Sequence, residues 1–335
     1  FLSLSPSPSP PPPPPRAPLF LQLFSYIFVG TLLCALEALN HVCSDARTAA
    51  KLNDAGLIDL TLDAMRGWED DVEIIERCFD LFYTLCFAPE CAEVFVSMDG
   101  LPLVFELFEA LASESPDGIL VMGQAALHVL LKDKPKADLR RYAEEVMEAG
   151  GTEVTAKLVE ENLENGEFVT EALETIGRIA VHEDLAHGVS MQFMPALRKI
   201  IMYCLHETDE ASHQELDRAF KIMGLFAFDS KNIESIVANG GLPLLLHAVA
   251  KYPREEKLMI RAIKTIDFIG MGDHEYTKIV IAKGGKKVVE KIMEVYPRSS
   301  EIQSLGKGAL VHLASLEEAD GVAGADAAEA AEMRL

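Results

Sequence analysis

The chain has 335 residues, 49% of them hydrophobic but only 7% aromatic, with a single Trp, a balance that suits aliphatic helix packing better than a sandwich of strands. Thirty Lys and Arg stand against 53 Asp and Glu, and the formal net charge of −23 argues against general DNA or RNA binding because it repels phosphates. Six cysteines at irregular spacing, with no CxxC pair, argue against a disulfide framework and for buried reduced thiols, as in the cytosol or nucleus.

Residues 1–18 are Ser/Pro low complexity ending in the run Pro10 to Pro15, which favours polyproline II and cannot form a core, so disorder is expected there. From Leu19 to Leu36 the chain is apolar except for Gln22, Ser25, Thr31 and glycine, near the lower length limit of a membrane span. Three readings compete for it: a membrane or signal segment, the leading helices of a repeat that caps a stack, or an artefact of gene prediction. Only Arg16 precedes the run, which is a poor basic start for a signal, and cap or artefact is preferred.

Beyond this segment a repeat of about 44 residues organises the chain. Gly241-Leu242-Pro243 leads to Tyr252-Pro253-Arg254, and 44 positions on Gly285 opens a run ending in Tyr296-Pro297-Arg298. Backwards, starts fall at Gly151, Gly100 and Gly56, with a degenerate start near Phe193-Met194-Pro195 that lacks the glycine. Each unit reads as three helices: a short apolar helix, a glycine suited to a left-handed corner, a second helix opened by proline, and a longer third helix. The third helix recurs in register as a small residue followed by apolar residues four and seven positions later. The triplets are Ala35/Leu39/Val42, Cys78/Phe82/Leu85, Ala172/Ile176/Ile179, Ala219/Met223/Phe226, Ala262/Ile266/Ile269 and Gly306/Leu310/Leu313. In the unit starting at Gly100, Gly123 and Ala126 compete for the small position, and the charged insertion 132–136 lengthens the step to 51 residues. No unit buries its apolar face alone, so neighbours must stack.

The motif of small residue, Gly-Gly, aliphatic and Pro before the second helix, best carried by Asn239-Gly240-Gly241-Leu242-Pro243 and Ala149-Gly150-Gly151, resembles the armadillo-repeat family. The Tyr-Pro-Arg ending resembles the subtype seen in armadillo repeat-containing protein six and in leucine-rich repeat kinases. The resemblance covers roughly residues 31–316. It implies an all-α, right-handed armadillo-type solenoid of about six three-helix repeats over 19–316, the first partial or atypical, followed by an acidic Ala-rich tail, 317–335, expected to be disordered.

In this family the third helices line a concave groove. Nuclear-import receptors of the fold carry Trp two residues after the small position and Asn six residues after it, and these clamp an extended basic peptide. Here the first set of positions holds Glu37, Asp80, Glu174, Lys221, Lys264 and Gly308, and the second His41, Thr84, Arg178, Leu225, Phe268 and His312, so the import-receptor function is disfavoured. The ladder is acidic in its first half and basic in its second. The expected function is therefore a non-enzymatic protein–protein interaction scaffold in the cytoplasm, or also the nucleus, binding a protein or peptide along the groove, with a basic segment as one option. A membrane-tethered adaptor using 19–36 and an Hsp70-type chaperone cofactor are the other readings.

The sequence carries no motif of catalytic or cofactor chemistry. His182-Glu183-Asp184-Leu185-Ala186-His187 spaces its histidines by five, which rotates them about 140° apart on a helix, and the segment reads as a solvated loop. Gly284-Gly285-Lys286-Lys287 lacks the spacing of a phosphate loop, and no nucleophile elbow occurs. No enzyme, metal or cofactor is expected.

Overall fold

The structure, a computed structural model, describes residues 19–43, 45–132, 134, 136–207 and 210–314. The Ser/Pro segment 1–18 and the tail 317–335 lie outside the described residues. Among the described residues all regular structure is helical.

A leading helix, α1 (Leu19–Val42), is followed by six units. The first is α2 (Ala46–Asn53), α3 (Leu57–Gly67) and α4 (Val72–Leu85). The second is α5 (Pro89–Ser97), α6 (Gly100–Leu111) and α7 (Met122–Leu130), with a π-helical turn, Pro116–Val121, before α7. The third is α8 (Lys136–Glu148), α9 (Gly151–Glu161) and α10 (Gly166–Ala180). The fourth has two helices, α11 (Glu183–His206) and α12 (Glu210–Ala227). The fifth is α13 (Ile233–Ala238), α14 (Gly241–Lys251) and α15 (Glu256–Gly272), and the sixth α16 (His274–Ala282), α17 (Gly285–Val295) and α18 over 300–314. Third helices stack on third helices from α1 through α4, α7, α10 and α12 to α15, and second helices stack in a parallel series from α3 to α17. This is a solenoid-like stack whose single core runs the length of the described array.

The Gly-Gly corner has two jobs. Gly56, Gly150, Gly240 and Gly284 hold φ of 88°, 81°, 71° and 87°, a left-handed backbone that turns the chain from first to second helix. Where a second glycine follows, as at Gly151, Gly241 and Gly285 but not after Gly56, it has no room for a side chain: a Cβ on Gly241 would sit 2.8 Å from Ile236 Cγ2 and 2.9 Å from Met223 Sδ. Gly100 is therefore not the equivalent of Gly56. The left-handed residue of that corner is Asp99, φ 57°, and Gly100 is the close-packed partner under Phe95.

Three expectations need correction. No repeat boundary falls near Phe193: α11 runs unbroken for 24 residues through Pro195, because no residue there can turn left-handed. His182 to His187 is not a loop but the cap and first turn of α11, whose Glu183 and Asp184 suit the positive end of the helix dipole. In α1 the expected buried triplet fails, since Ala35 and Val42 are exposed while Leu36 and Cys43 are buried. The face of α1 that meets α4 is covered, but among the described residues no first and second helices precede α1 to cover the other.

Elsewhere the register holds. Cys78/Phe82/Leu85, Ala172/Ile176/Ile179, Ala219/Met223/Phe226 and Ala262/Ile266/Ile269 are all buried, and Gly123 takes the small position of the second unit, with Phe108 pressed where its Cβ would be. Four of the seven extra residues in the 51-residue step lie in α8, which has 13 residues where α5 and α16 have 9. All six cysteines are free thiols and all but Cys34 are buried. Burial pushes the Cys78 thiol up to about 12, and burial with the Glu90 charge pushes Cys91 to about 11, so neither is a reactive thiolate. Among the described residues no single helix is long and apolar enough to cross a membrane, and one pair, Ser230–Ala238 with Gly241–Lys251, reaches the length only across a 73° bend.

Candidate functional site on the exposed face of the third helices

Each third helix packs on the third helices beside it and on other helices of its unit, and the strip it leaves open carries the ladder positions. The residues two and six positions past the small residue fall on it. Glu37, His41, Lys221, Lys264 and His312 are exposed, and Asp80, Thr84, Glu174, Arg178, Leu225 and Phe268 are half-buried.

Neighbouring strips are tied by polar contacts about one repeat apart in sequence. Thr84 donates to Asn40 Oδ1 at 2.6 Å, His128 Nδ1 lies 2.8 Å from Glu171 Oε2, and Arg218 Nε donates to Glu174 at 2.9 Å. Arg261 grips both oxygens of Asp217, His312 Nδ1 lies 2.8 Å from Asp267, and Lys264 reaches Glu301 at 3.3 Å. The partners Asn40, Glu171, Asp217, Arg218, Arg261 and Asp267 were not singled out by sequence reasoning. Their signal was available as complementary charges one repeat apart at adjacent helical positions.

These contacts change the charge of the ladder. Its acidic first half is not a set of free carboxylates. Burial pushes the Glu174 carboxyl up, but the Arg218 hydrogen bond and the Lys221 and Arg218 charges outweigh it and hold the group below the usual glutamate value. Asp80 has Arg77 Nη1 at 3.3 Å, yet burial keeps its carboxyl above the usual value. Among the residues of the first-half ladder, Glu37 stands exposed.

Two clefts open on this face and meet at Glu174 and Lys221, which line both. One, of about 570 Å³, lies between α12 and α15 and includes His213, Tyr252 and Arg261. The Tyr of the Tyr-Pro-Arg ending packs its ring edge-on against His213, 4.5 Å between centroids, so that motif joins adjacent units. The other, of about 530 Å³, lies between α8, α10 and α12. Its polar lining is Lys136, Arg140, Glu174, Arg178, His182 and Lys221, and Leu131, Leu139 and Val181 supply its apolar part. Arg178 Nε is buried there without a hydrogen-bond partner. His182 is held below its usual value by burial first, with the Arg140 charge adding to it against Asp184, so it is neutral at pH 7.

A further row was missed from the sequence. Nine positions past the small residue, at the C-terminal end of the third helix, stand Phe87, Val181, Phe228 and Met271, exposed by 49%, 56%, 60% and 56%. Lys132 holds this position in the second unit. Phe228 meets Phe268 of the ladder edge-on at 5.5 Å. The row could have been read by extending the third-helix alignment two residues.

Among the described residues no three His, Cys, Asp or Glu side chains come together to hold a metal ion. His187 Nδ1 lies 2.8 Å from Asn232 Oδ1, and His182 lines the cleft instead.

No family model and no curated protein matches the chain. Solved structures match in fold. One crystal structure of an engineered protein from the Northeast Structural Genomics Consortium is 20% identical with a TM-score of 0.65, over 84% of this chain and 64% of that one. A second engineered protein from the same consortium is 17% identical with a TM-score of 0.59, over 77% of this chain and 97% of that one. The chain thus spans about two thirds of the first and most of the second. At this identity the likeness shows the helical fold alone.

Proposed function

We propose that the chain is a non-enzymatic interaction scaffold of the armadillo type, a right-handed array of six units that holds a segment of another protein along its third helices, in the cytoplasm or nucleus. The observation that carries the reading is the row Phe87, Val181, Phe228 and Met271, one exposed apolar side chain at the same position of four units. Scattered exposed apolar residues need no explanation, but four at one register form a track. Covering such a track gains about 25 cal/mol per Å² of apolar area, against the cost of ordering the partner segment. The net charge of −23 keeps nucleic acid out of this reading.

The test is proximity labelling of the full chain against a variant carrying Phe87→Ser, Val181→Ser, Phe228→Ser and Met271→Ser. Loss of the labelled partners with unchanged helix content supports the scaffold. Retention of the same partners, with loss instead on reversing exposed second-helix charges such as Lys291→Glu, overturns the face.

A further inference from the structure

We infer that the cleft between α8, α10 and α12 binds an acidic peptide segment, taking carboxylates on Arg178 and Lys221 and an adjacent aliphatic side chain against Leu139 and Val181. The inference rests on the scaffold reading for the class of ligand and adds its chemistry. It reverses the basic partner that the ladder sequence suggests.

Four permanent cations, Lys136, Arg140, Arg178 and Lys221, line this cleft with one carboxylate, Glu174, in a chain whose net charge is −23. Local charge of the opposite sign to the whole marks a place where something acidic is taken up. The cations are not equally occupied. Arg140 is spent on Asp184 and Glu144, at 2.5 and 2.8 Å. Glu174 is ion-paired with Arg218, and Lys221 acts on it by charge without an ion pair among the described residues. Among the described residues Arg178 has no carboxylate within ion-pair distance, and its Nε is buried without a partner although guanidinium donors are rarely left so. A planar fork in that state matches a carboxylate. Burial around it lowers the local dielectric and strengthens the pair.

The apolar lining argues for a peptide over a lone anion. Val181 belongs to the exposed row, and Leu131 and Leu139 flank it. Leu131 is already buried, but a free phosphate or carboxylate would leave exposed Val181 and half-buried Leu139 uncovered. The cleft also continues through Glu174 and Lys221 into the cleft before α15, a path for chain on one side of the anchored residue.

The probe is a short fluorescein-labelled peptide of repeated Glu-Leu-Asp, titrated against the full chain by anisotropy, beside its Lys-for-acid and Ser-for-Leu counterparts. Saturable binding of the acidic peptide is expected, weakened by salt and weakened about tenfold or more by Arg178→Glu and Lys221→Glu. Lys291→Glu makes the same charge change on α17 and should leave affinity unchanged. Arg178→Gln keeps most of the packed stem, so a loss shared with Arg178→Glu at unchanged melting temperature reports lost charge and not lost fold. Equal binding of the Ser-for-Leu peptide would overturn the apolar contact, and with it the choice of a peptide over a simple anion. Preference for the Lys peptide would overturn the inference while leaving the scaffold reading intact. Failure of every peptide overturns the inference, and the substitutions in the exposed row then judge the scaffold reading separately.

Discussion

Arg261 on α15 donates through Nε and Nη2 to both carboxylate oxygens of Asp217 on α12, at 2.5 and 2.9 Å, across 44 residues of sequence. Both side chains are about 30% exposed, so each keeps some water and the pair is worth less than its geometry suggests. A double-mutant cycle of Arg261→Ala and Asp217→Ala in urea is expected to show a coupling of about 0.5–1 kcal/mol that shrinks with added salt. Strict additivity of the two losses would mean the contact does not couple the units.

The Gly-Gly corner makes a sharper prediction. Gly240→Ala forces a Cβ into a left-handed backbone at φ 71° and should cost about 1–2 kcal/mol. Gly240→Asn should cost less, because Asn tolerates that region and nothing lies within 4 Å of the new Cβ. Equal losses for the two would locate the penalty in packing and not in φ.

Ala172 and Ala262 are fully buried at equivalent positions of α10 and α15. Ala172→Leu or Ala262→Leu should overpack the stack and cost about 1–3 kcal/mol. Thermal midpoints that match the parent in both variants would show the register to be misassigned.

Phe28 of α1 stacks on Trp68 at the end of α3, 6.0 Å between centroids and 21° between planes. Trp68 is the only Trp and packs on the core of the first unit, so its emission reports that end of the array and the docking of α1 on it. Phe28→Ala should shift that emission to longer wavelength with little change in the helix signal. In a thermal scan the Trp68 transition should precede the global loss of helix, because an end unit has one neighbour. Coincident transitions would make the array a single cooperative unit.

The pH dependence follows from Glu174, whose folded carboxyl sits below the usual value of 4.5. A depressed carboxylate contributes stability that is fully present above its unfolded value and is lost as pH falls through the folded value. Asp80, raised by burial, acts in the opposite sense and favours the fold as it protonates. Between pH 6 and about pH 3, Glu174→Gln should therefore flatten the fall in melting temperature and Asp80→Asn should steepen it. The same slope in both variants as in the parent would mean that neither group carries the acid sensitivity.

The sequence by itself determined the repeat, the helical class and most of the core, because a register such as Ala262/Ile266/Ile269 is a local property of one helix written several times over. It located the glycine corners but not their division of labour, since Gly56 and Gly100 look alike as letters and differ only in backbone angle and neighbour. It missed the continuity of α11, where a proline suggested a boundary that only a left-handed residue could have made. Only the tertiary structure decided what the ladder charges are free to do. Glu174 looks like an available acid until Arg218 and Lys221 arrive from the next unit, and Arg178 looks like any surface arginine until the fold places it in the cleft beside α8 with its Nε buried and no described partner. Periodicity says which residues share a face, whereas the field at that face is set by groups one repeat away, brought within a few ångströms by the stacking itself.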